Sequence, residues 1–150
     1  MENLIWQQNY SVGVEYFDNQ HKKLFATAQK LYQEIMSSKS ESVIREILED
    51  LLHYVDTHFK DEEFYMEKYN YDYLEKHKKE HRQFEEEIHN LKGRHQEGQI
   101  FIAMKLLNYL QDWFFDHIVM EDQKYGSLLS DKEIRSVSDE SSTLRTINWN

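Results

Sequence analysis

The stretch that decides the fold is residues 58–81, HFKDEEFYMEKYNYDYLEKHKKEH. It contains His58 and Glu62 four positions apart, and then His77 and His81 with the same spacing. On an α-helix, residues four positions apart are separated by about 40° around the axis, so their side chains project from one face. Each pair can therefore converge on a metal ion beside its helix.

Metal-binding side chains also lie at core positions elsewhere in the chain. Four segments have apolar residues at the i, i+3, i+4, i+7 spacing of an amphipathic helix. Histidine and glutamate side chains continue or interrupt these apolar stripes, where they are expected to face the core. These six residues are His21, His58, Glu62, His77, His81 and His117.

The four segments predict an all-α fold. The first helix is expected to begin near Asp18 or Asn19, and the second to end near Tyr69–Asn70. The third is expected to begin at Asp72, the first residue of a capping-box pattern, and the fourth near Gln99. The absence of proline and the presence of four glycines favour long, uninterrupted helices. Short connections between amphipathic helices imply an antiparallel four-helix bundle.

The two ends of the chain lie outside these helices. Residues 1–17 have no helical period, so we expect an extended N-terminal arm with apolar anchors that include Ile5 and Trp6. We assign residues 1–130 to the bundle and residues 131–150 to a short C-terminal extension. The sequence SDKE at the start of the extension can cap a short helix, and its apolar residues favour packing on the bundle over docking to a partner.

Composition excludes several classes of partner. The formal net charge of −10 argues against nucleic acid and anionic membranes, which attract clustered lysine and arginine. No segment approaches the roughly 18 consecutive apolar residues of a membrane span, and the N-terminus lacks the pattern of a secretory signal. We expect a cytoplasmic monomer. Because the chain has no cysteine, any metal site must use nitrogen and oxygen ligands.

A metal centre would explain the histidines at core positions. One histidine on an apolar face is usually an ordinary core residue, but an unpaired buried polar group costs about 1–3 kcal/mol. A whole domain is stable by only about 5–15 kcal/mol, so several such groups need a common partner. Imidazole and carboxylate suit Fe, Zn, Cu, Mn or Ni, and the lack of thiolates removes the structural zinc classes. The other histidines, His53, His89 and His95, are expected at the surface.

Asp122 is a further candidate with an unusual spacing. It follows His117 by five positions in HIVMED, and on an ideal helix these side chains diverge by about 140°. If Asp122 is a ligand, we expect a π-type distortion of the helix. With Asp122 the donors number seven, too many for one tetrahedral zinc and suited to two six-coordinate ions bridged by carboxylates. Bridging carboxylates and a bridging hydroxide would cancel most of the charge of two divalent ions.

The chain resembles the hemerythrin family, specifically its single-domain bacterial members. The opening W…VGV…FDNQHKKL is similar to the family's N-terminal signature. HFKDE, HKKEH and HIVMED match its H-x-x-x-E, H-x-x-x-H and H-x-x-x-x-D motifs in order, within residues 4–126. The resemblance implies an up-down-up-down bundle that carries two non-haem iron ions with an oxo or hydroxo bridge.

By motif position, the resemblance also implies a role for each ligand. One iron would be held by His77, His81 and His117, the other by His21 and His58, with Glu62 and Asp122 as bridges. This is the reason to retain Asp122 despite its spacing. The second iron is left one ligand short, and in this family dioxygen binds at such a vacancy.

The resemblance suggests which side chains surround the vacancy. Trp113 and Phe114 are candidates for the wall of an apolar oxygen pocket, although ordinary core packing explains them equally well. A dry pocket would discourage protonation and loss of bound dioxygen. Tyr125 matches a tyrosine often found in the family and is a candidate to contact the ligands from outside.

Three functions are compatible with these features. The leading one is reversible dioxygen binding, without enzymatic turnover, for carriage, storage or delivery to an oxygen-consuming protein. The first alternative is a di-iron redox enzyme acting on peroxide or nitric oxide. A ferritin-like enzyme would carry two Glu-x-x-His motifs, and the match here, from Glu86 to His89, lies off the core stripe. The second alternative is an oxygen or redox sensor, for which only the extension could serve as output.

Overall fold

The predicted four-helix bundle is confirmed by a computed structural model, which describes residues 5–37, 41–99 and 101–137 (for residues 41 and 42 the backbone only). Strands are absent from these ranges. The helices are α1 (Glu15–Met36), α2 (Glu41–Tyr54), α3 (Lys60–Lys68), α4 (Leu74–Gln96), α5 (Ile102–Trp113) and α6 (Gly126–Leu129). Within the described ranges, no helix combines the length and apolar character needed to cross a membrane.

Two of the bundle helices are composite. A π-helical turn, Val55–Phe59, joins α2 to α3 without a break, so that together they form the second bundle helix. The fourth continues from α5 through a π-helical segment, Phe114–Glu121, and a 3₁₀ segment, Asp122–Tyr125, into α6. Helix α1 packs against α2 and α5, and α4 packs against α2, α3 and α5. The four bundle helices therefore enclose one central core.

The core has two apolar clusters. The larger is built from the stripes of all four bundle helices and includes Leu31, Leu48 and Phe84, none of which is exposed. The smaller joins the N-terminal arm to α3 and α6 and includes Phe17 and Tyr65. The candidate ligands lie between these clusters along every bundle helix. The bundle thus surrounds them with apolar side chains above and below.

The start of α1 differs from the prediction. The helix begins at Glu15 rather than near Asp18 or Asn19. Asp18 instead accepts hydrogen bonds from the Val12 N–H, at 2.8 Å, and from the Ser11 hydroxyl. Its side chain therefore ties the preceding arm to the first turns of the helix.

The ends of α3 and α4 follow Schellman motifs. Helix α3 ends near Tyr69–Asn70 as predicted, with Asn70 at a φ of 58°. Helix α4 ends at Gln96, and Gly98 beyond it has a φ of 80° and donates its N–H to the carbonyl of His95 at 3.0 Å. Because α4 continues through Gly93, His95 lies half-buried in its last turn, and its prediction as a surface residue was wrong.

Two helix starts were also predicted wrongly. Helix α4 begins at Leu74 after Tyr73, and no side-chain hydrogen bond caps it, so the capping box at Asp72 does not form. Helix α5 begins at Ile102 rather than near Gln99, because Phe101 is left-handed, with a φ of 64°, and cannot continue a right-handed helix.

The arm and the extension both contact the bundle. Trp6 packs edge-on against Phe25 and Phe114, whereas Ile5 is 72% exposed and is not an anchor. In the extension, Ile134 packs on the smaller core cluster. Residues 138–150 lie outside the described part, so the helix expected in the extension and the boundary at residue 130 stay predictions.

Candidate metal centre

All seven predicted ligands meet in the middle of the bundle, in two buried clusters that share one carboxylate. Each cluster offers ligand atoms that all lie within 4.8 Å of one another. The first cluster consists of Glu62, His77, His81 and His117, and the second of His21, His58, Glu62 and Asp122. The predicted surface residues His53 and His89 are exposed. The geometry therefore separates the candidate ligands from His53 and His89, as the helical periodicity predicted.

The π-helical segment of the fourth bundle helix brings Asp122 into the centre. It spans Phe114–Glu121 and confirms the distortion expected from the five-residue spacing. A π-helix closes its hydrogen bonds over five residues, so residues i and i+5 face the same side. The Nε2 atom of His117 consequently lies 3.1 Å from Oδ1 of Asp122. The distortion has a direct role in assembling the site.

Asp122 lies between the two clusters with one oxygen facing each. Its Oδ1 is 2.8 Å from Nε2 of His77 and 3.1 Å from Nε2 of His117, while its Oδ2 is 3.1 Å from Nε2 of His21. Glu62 also reaches both clusters. Its Oε1 lies 3.2 Å from Nε2 of His81 and 3.4 Å from Nε2 of His58, and its Oε2 lies 3.4 Å from Nε2 of His21. Both carboxylates thus have the placement of bridging groups.

The converging atoms have no ordinary hydrogen-bond partners. Among the described residues, the buried atoms without a partner include Nε2 of His21, His77, His81 and His117, Oε1 of Glu62, and both Asp122 oxygens. Distances between them as short as 2.8 Å do not give any of these atoms a hydrogen-bond partner. Unpaired buried polar groups are costly, and cations at those positions would satisfy all of them. The residues present therefore fit a metal centre.

The electrostatics of the site also favour cations. Burial lowers the pKa of His77, but contacts with Asp122 and Glu62 outweigh burial and raise it to about 10. The pKa of His21 is raised to about 9 for the same reasons. The pKa values of Glu62 and Asp122 lie well below the usual range despite burial, because histidines surround them. The carboxylates are therefore ionised and draw positive charge, as protons or as metal ions, into the core.

The described chain matches the family model of the hemerythrin HHE cation-binding domain over residues 12–129. The chain belongs to the hemerythrin family. It is 30% identical to a bacteriohemerythrin of Pseudomonas aeruginosa, over 94% of this chain and 91% of that protein. It is 31% identical to a bacteriohemerythrin of Methylococcus capsulatus, over 81% of this chain and 92% of the relative. Among solved structures, wild-type hemerythrin superposes with a TM-score of 0.77 at 29% identity, over 85% and 98% of the two chains. Hemerythrins bind oxygen at a di-iron centre.

Three of the candidate ligand histidines contact, through Nδ1, polar side chains that the sequence analysis missed. Nδ1 of His81 lies 2.7 Å from Oε2 of Glu63, and Nδ1 of His117 lies 2.9 Å from Oε2 of Glu80. Nδ1 of His58 contacts Oε1 of Gln20. Such contacts fix the imidazole so that Nε2 faces the metal. The available signal was sequence adjacency, since each partner immediately precedes or follows a candidate ligand.

Aromatic side chains enclose the two clusters. Trp113 stacks on His117 with ring centroids 4.0 Å apart, and Phe59 stacks on His81 at 3.8 Å. Phe114 packs against Phe25 in the larger core cluster. These rings keep the site apolar, and a role for Trp113 and Phe114 in an oxygen pocket remains a prediction.

Two tyrosines approach the centre differently. The buried hydroxyl of Tyr125 donates a hydrogen bond to Oε2 of Glu62. Tyr54, which the sequence analysis overlooked, stacks on His58 with centroids 4.8 Å apart. Its hydroxyl is buried without a hydrogen-bond partner among the described residues. Only the Tyr125 hydroxyl therefore holds a candidate ligand directly.

Proposed function

We propose that this hemerythrin binds dioxygen reversibly at a di-iron centre, for carriage, storage or delivery. The observation that carries the proposal is the unequal number of histidines in two clusters that share Glu62. His77, His81 and His117 would hold one iron, and His21 and His58 would hold the other. Glu62 and Asp122 would bridge the two ions. The two-histidine iron would retain a coordination position for dioxygen.

The bridging assignment is supported by how the carboxylate oxygens are oriented. Each oxygen of Asp122 faces a different cluster, and Glu62 is shared by both. Tyr125 holds Glu62 through its hydroxyl, which restrains rotation of the carboxylate. When bound, an iron pair would supply the electrons needed to take up dioxygen and recover them on its release. The chain's own contribution is to hold seven ligands in place within a dry core.

The placement of the chain's Glu-x-x-His match favours an oxygen-binding protein over a ferritin-like oxidase. Glu86 and His89 are both exposed on α4, outside the two clusters. Ferritin-like oxidases need two such motifs facing the interior of their bundle. We extend the proposal to a cytoplasmic monomer that supplies dioxygen to an oxygen-consuming protein.

The proposal is tested by counting iron and following oxygen uptake. The protein is loaded anaerobically with Fe²⁺, its iron content is measured, and air is admitted while the visible spectrum is recorded. We expect two irons per chain and a charge-transfer band that appears with oxygen. Asp122→Ala should lose both properties, whereas His89→Ala, a change at an exposed histidine, should keep them. A well-folded protein that holds fewer than two irons would contradict the ligand assignment.

A further inference from the structure

We propose that residues 135–137 form a C-terminal strap that positions His58 through Asp61 and Gln20. The strap would thereby stabilise the ion held by the two-histidine cluster. The inference rests on the ligand assignment proposed above. It concerns positioning residues, since neither Asp61 nor Gln20 belongs to the two clusters.

The first step is the direct support of His58 by Gln20. The Oε1 atom of Gln20 contacts Nδ1 of His58, while its Nε2 atom donates a hydrogen bond to Oδ2 of Asp61 at 2.9 Å. Because the Gln20 amide directs its NH₂ group to Asp61, its carbonyl oxygen is the atom that faces His58. The carbonyl in turn requires a proton on Nδ1 of His58. Asp61 therefore sets the tautomer that leaves Nε2 of His58 free for a metal ion.

The second step is the attachment of Asp61 to the strap. Asp61 is 5% exposed, and its Oδ1 accepts the backbone N–H of Val137 at 3.0 Å. The Tyr16 hydroxyl donates to Oδ2 at 2.6 Å. With Gln20, these donors compensate for the burial of the carboxylate. The Val137 N–H is the donor on the oxygen that faces away from Tyr16 and Gln20, so it fixes the rotation of the Asp61 side chain.

The third step is a clamp that holds the strap on α3. The Tyr65 hydroxyl donates a hydrogen bond to the carbonyl of Arg135 at 3.0 Å. The hydroxyl oxygen of Tyr65 also accepts a hydrogen bond from the backbone N–H of Arg135 at 3.1 Å. Tyr65 follows Asp61 by one helical turn and is 1% exposed. The strap is thus attached at two successive turns of one rigid helix. Loss of either attachment would therefore weaken the restraint on the Asp61 side chain.

The strap and His58 line the same cavity. A cavity of about 640 Å³ lies between α1 and α2, and His58, Gln20, Ser136 and Val137 are among the residues that line it. Displacement of the strap would widen this cavity and admit water or a chelator to the two-histidine cluster. The three-histidine cluster is supported by Glu63 and Glu80 instead, so its ion should be unaffected.

The test uses Co²⁺ as a redox-inert probe and measures its release from the full chain to excess EDTA. Val137→Pro removes the N–H that Asp61 accepts, and Val137→Ala is the matched control that keeps it. Asp61→Ala removes the carboxylate itself. Glu80→Ala removes the carboxylate that contacts Nδ1 of His117. The release phase that this variant accelerates is therefore that of the ion in the three-histidine cluster. Circular dichroism confirms that each variant is folded.

We expect Val137→Pro and Asp61→Ala to accelerate the release of one Co²⁺ by about 10-fold or more. The other Co²⁺ should leave at the wild-type rate, and Val137→Ala should behave as wild type. Equal acceleration of both ions would indicate general loosening and overturn the inference, as would wild-type rates for both variants. A wild-type chain that binds fewer than two Co²⁺ would instead overturn the ligand assignment, and the inference with it.

Discussion

Oε2 of Glu63 lies 2.7 Å from Nδ1 of His81, which is on the next bundle helix. The same relationship recurs at Glu80, which precedes His81 in sequence and holds His117 on the helix after that. A residue adjacent to a candidate ligand on one helix therefore supports the ligand of another helix. This arrangement couples the packing of the bundle to the orientation of the imidazoles.

The first prediction concerns this support. Glu63→Ala should weaken metal binding by about 10- to 100-fold, because His81 loses the partner that orients its ring. Glu67→Ala, at an exposed position on the same helix, is the control and should leave affinity unchanged. Affinity is measured by competition with a chelator of known strength. Equal affinity in both variants would mean that the contact does not orient His81.

The second prediction compares the two tyrosines. Tyr125→Phe should lower the free energy of unfolding by about 1–3 kcal/mol, because Glu62 loses a buried donor. Tyr54→Phe should cause no such loss, because the Tyr54 hydroxyl has no hydrogen-bond partner among the described residues. Both values come from denaturant titrations of the metal-loaded protein. Equal destabilisation of the two variants would contradict this prediction, because it would mean that the Tyr54 hydroxyl also makes a stabilising hydrogen bond in solution.

The third prediction concerns two glycines. A Cβ atom at Gly126 would lie 2.4 Å from the carbonyl oxygen of Val12, a backbone atom that cannot move without displacing the arm. Gly126→Ala should therefore destabilise the protein by about 1–3 kcal/mol. Gly93 lies inside α4 with nothing near its Cβ position, so Gly93→Ala should stabilise by about 0.5–1 kcal/mol. Thermal unfolding of the two variants should shift in opposite directions, and a shift of the same sign in both would refute the prediction.

The fourth prediction concerns pH. In the metal-free protein the pKa values of His21 and His77, about 9 and 10, keep these imidazoles protonated at neutral pH. Metal ions must displace those protons, so loading with Co²⁺ should release protons and affinity should rise with pH. The carboxylates contribute none, because the pKa values of Glu62 and Asp122 are already low. A titration in weakly buffered solution that shows no acidification would contradict this.

The helical period made the candidate ligands predictable before any coordinates were known. His58, Glu62, His77 and His81 fall on apolar stripes, and such stripes must face the core in a bundle. The distortion at Asp122 was also predictable, because five-residue spacing cannot bring two side chains together on a regular α-helix.

Other features follow from tertiary contacts that a one-dimensional pattern does not contain. The π-helical turn at Val55–Phe59 is marked by no proline or glycine. Asp18 has the residue type of an N-cap, but it is used to bind the arm. The bond between Gln20 and His58 joins residues on different helices, and only the packed bundle shows it. Helix ends proved harder to predict than helix faces for the same reason.

Repeated oxygenation is the most direct test of reversible dioxygen binding by this protein. The diferrous protein is exposed to air, purged with argon and exposed again, while the visible charge-transfer band is recorded through several cycles. We expect the band to appear with oxygen, fade on purging and return to the same intensity. A band that decays to a stable oxidised form unable to bind oxygen again would contradict the account and favour a redox enzyme or a sensor.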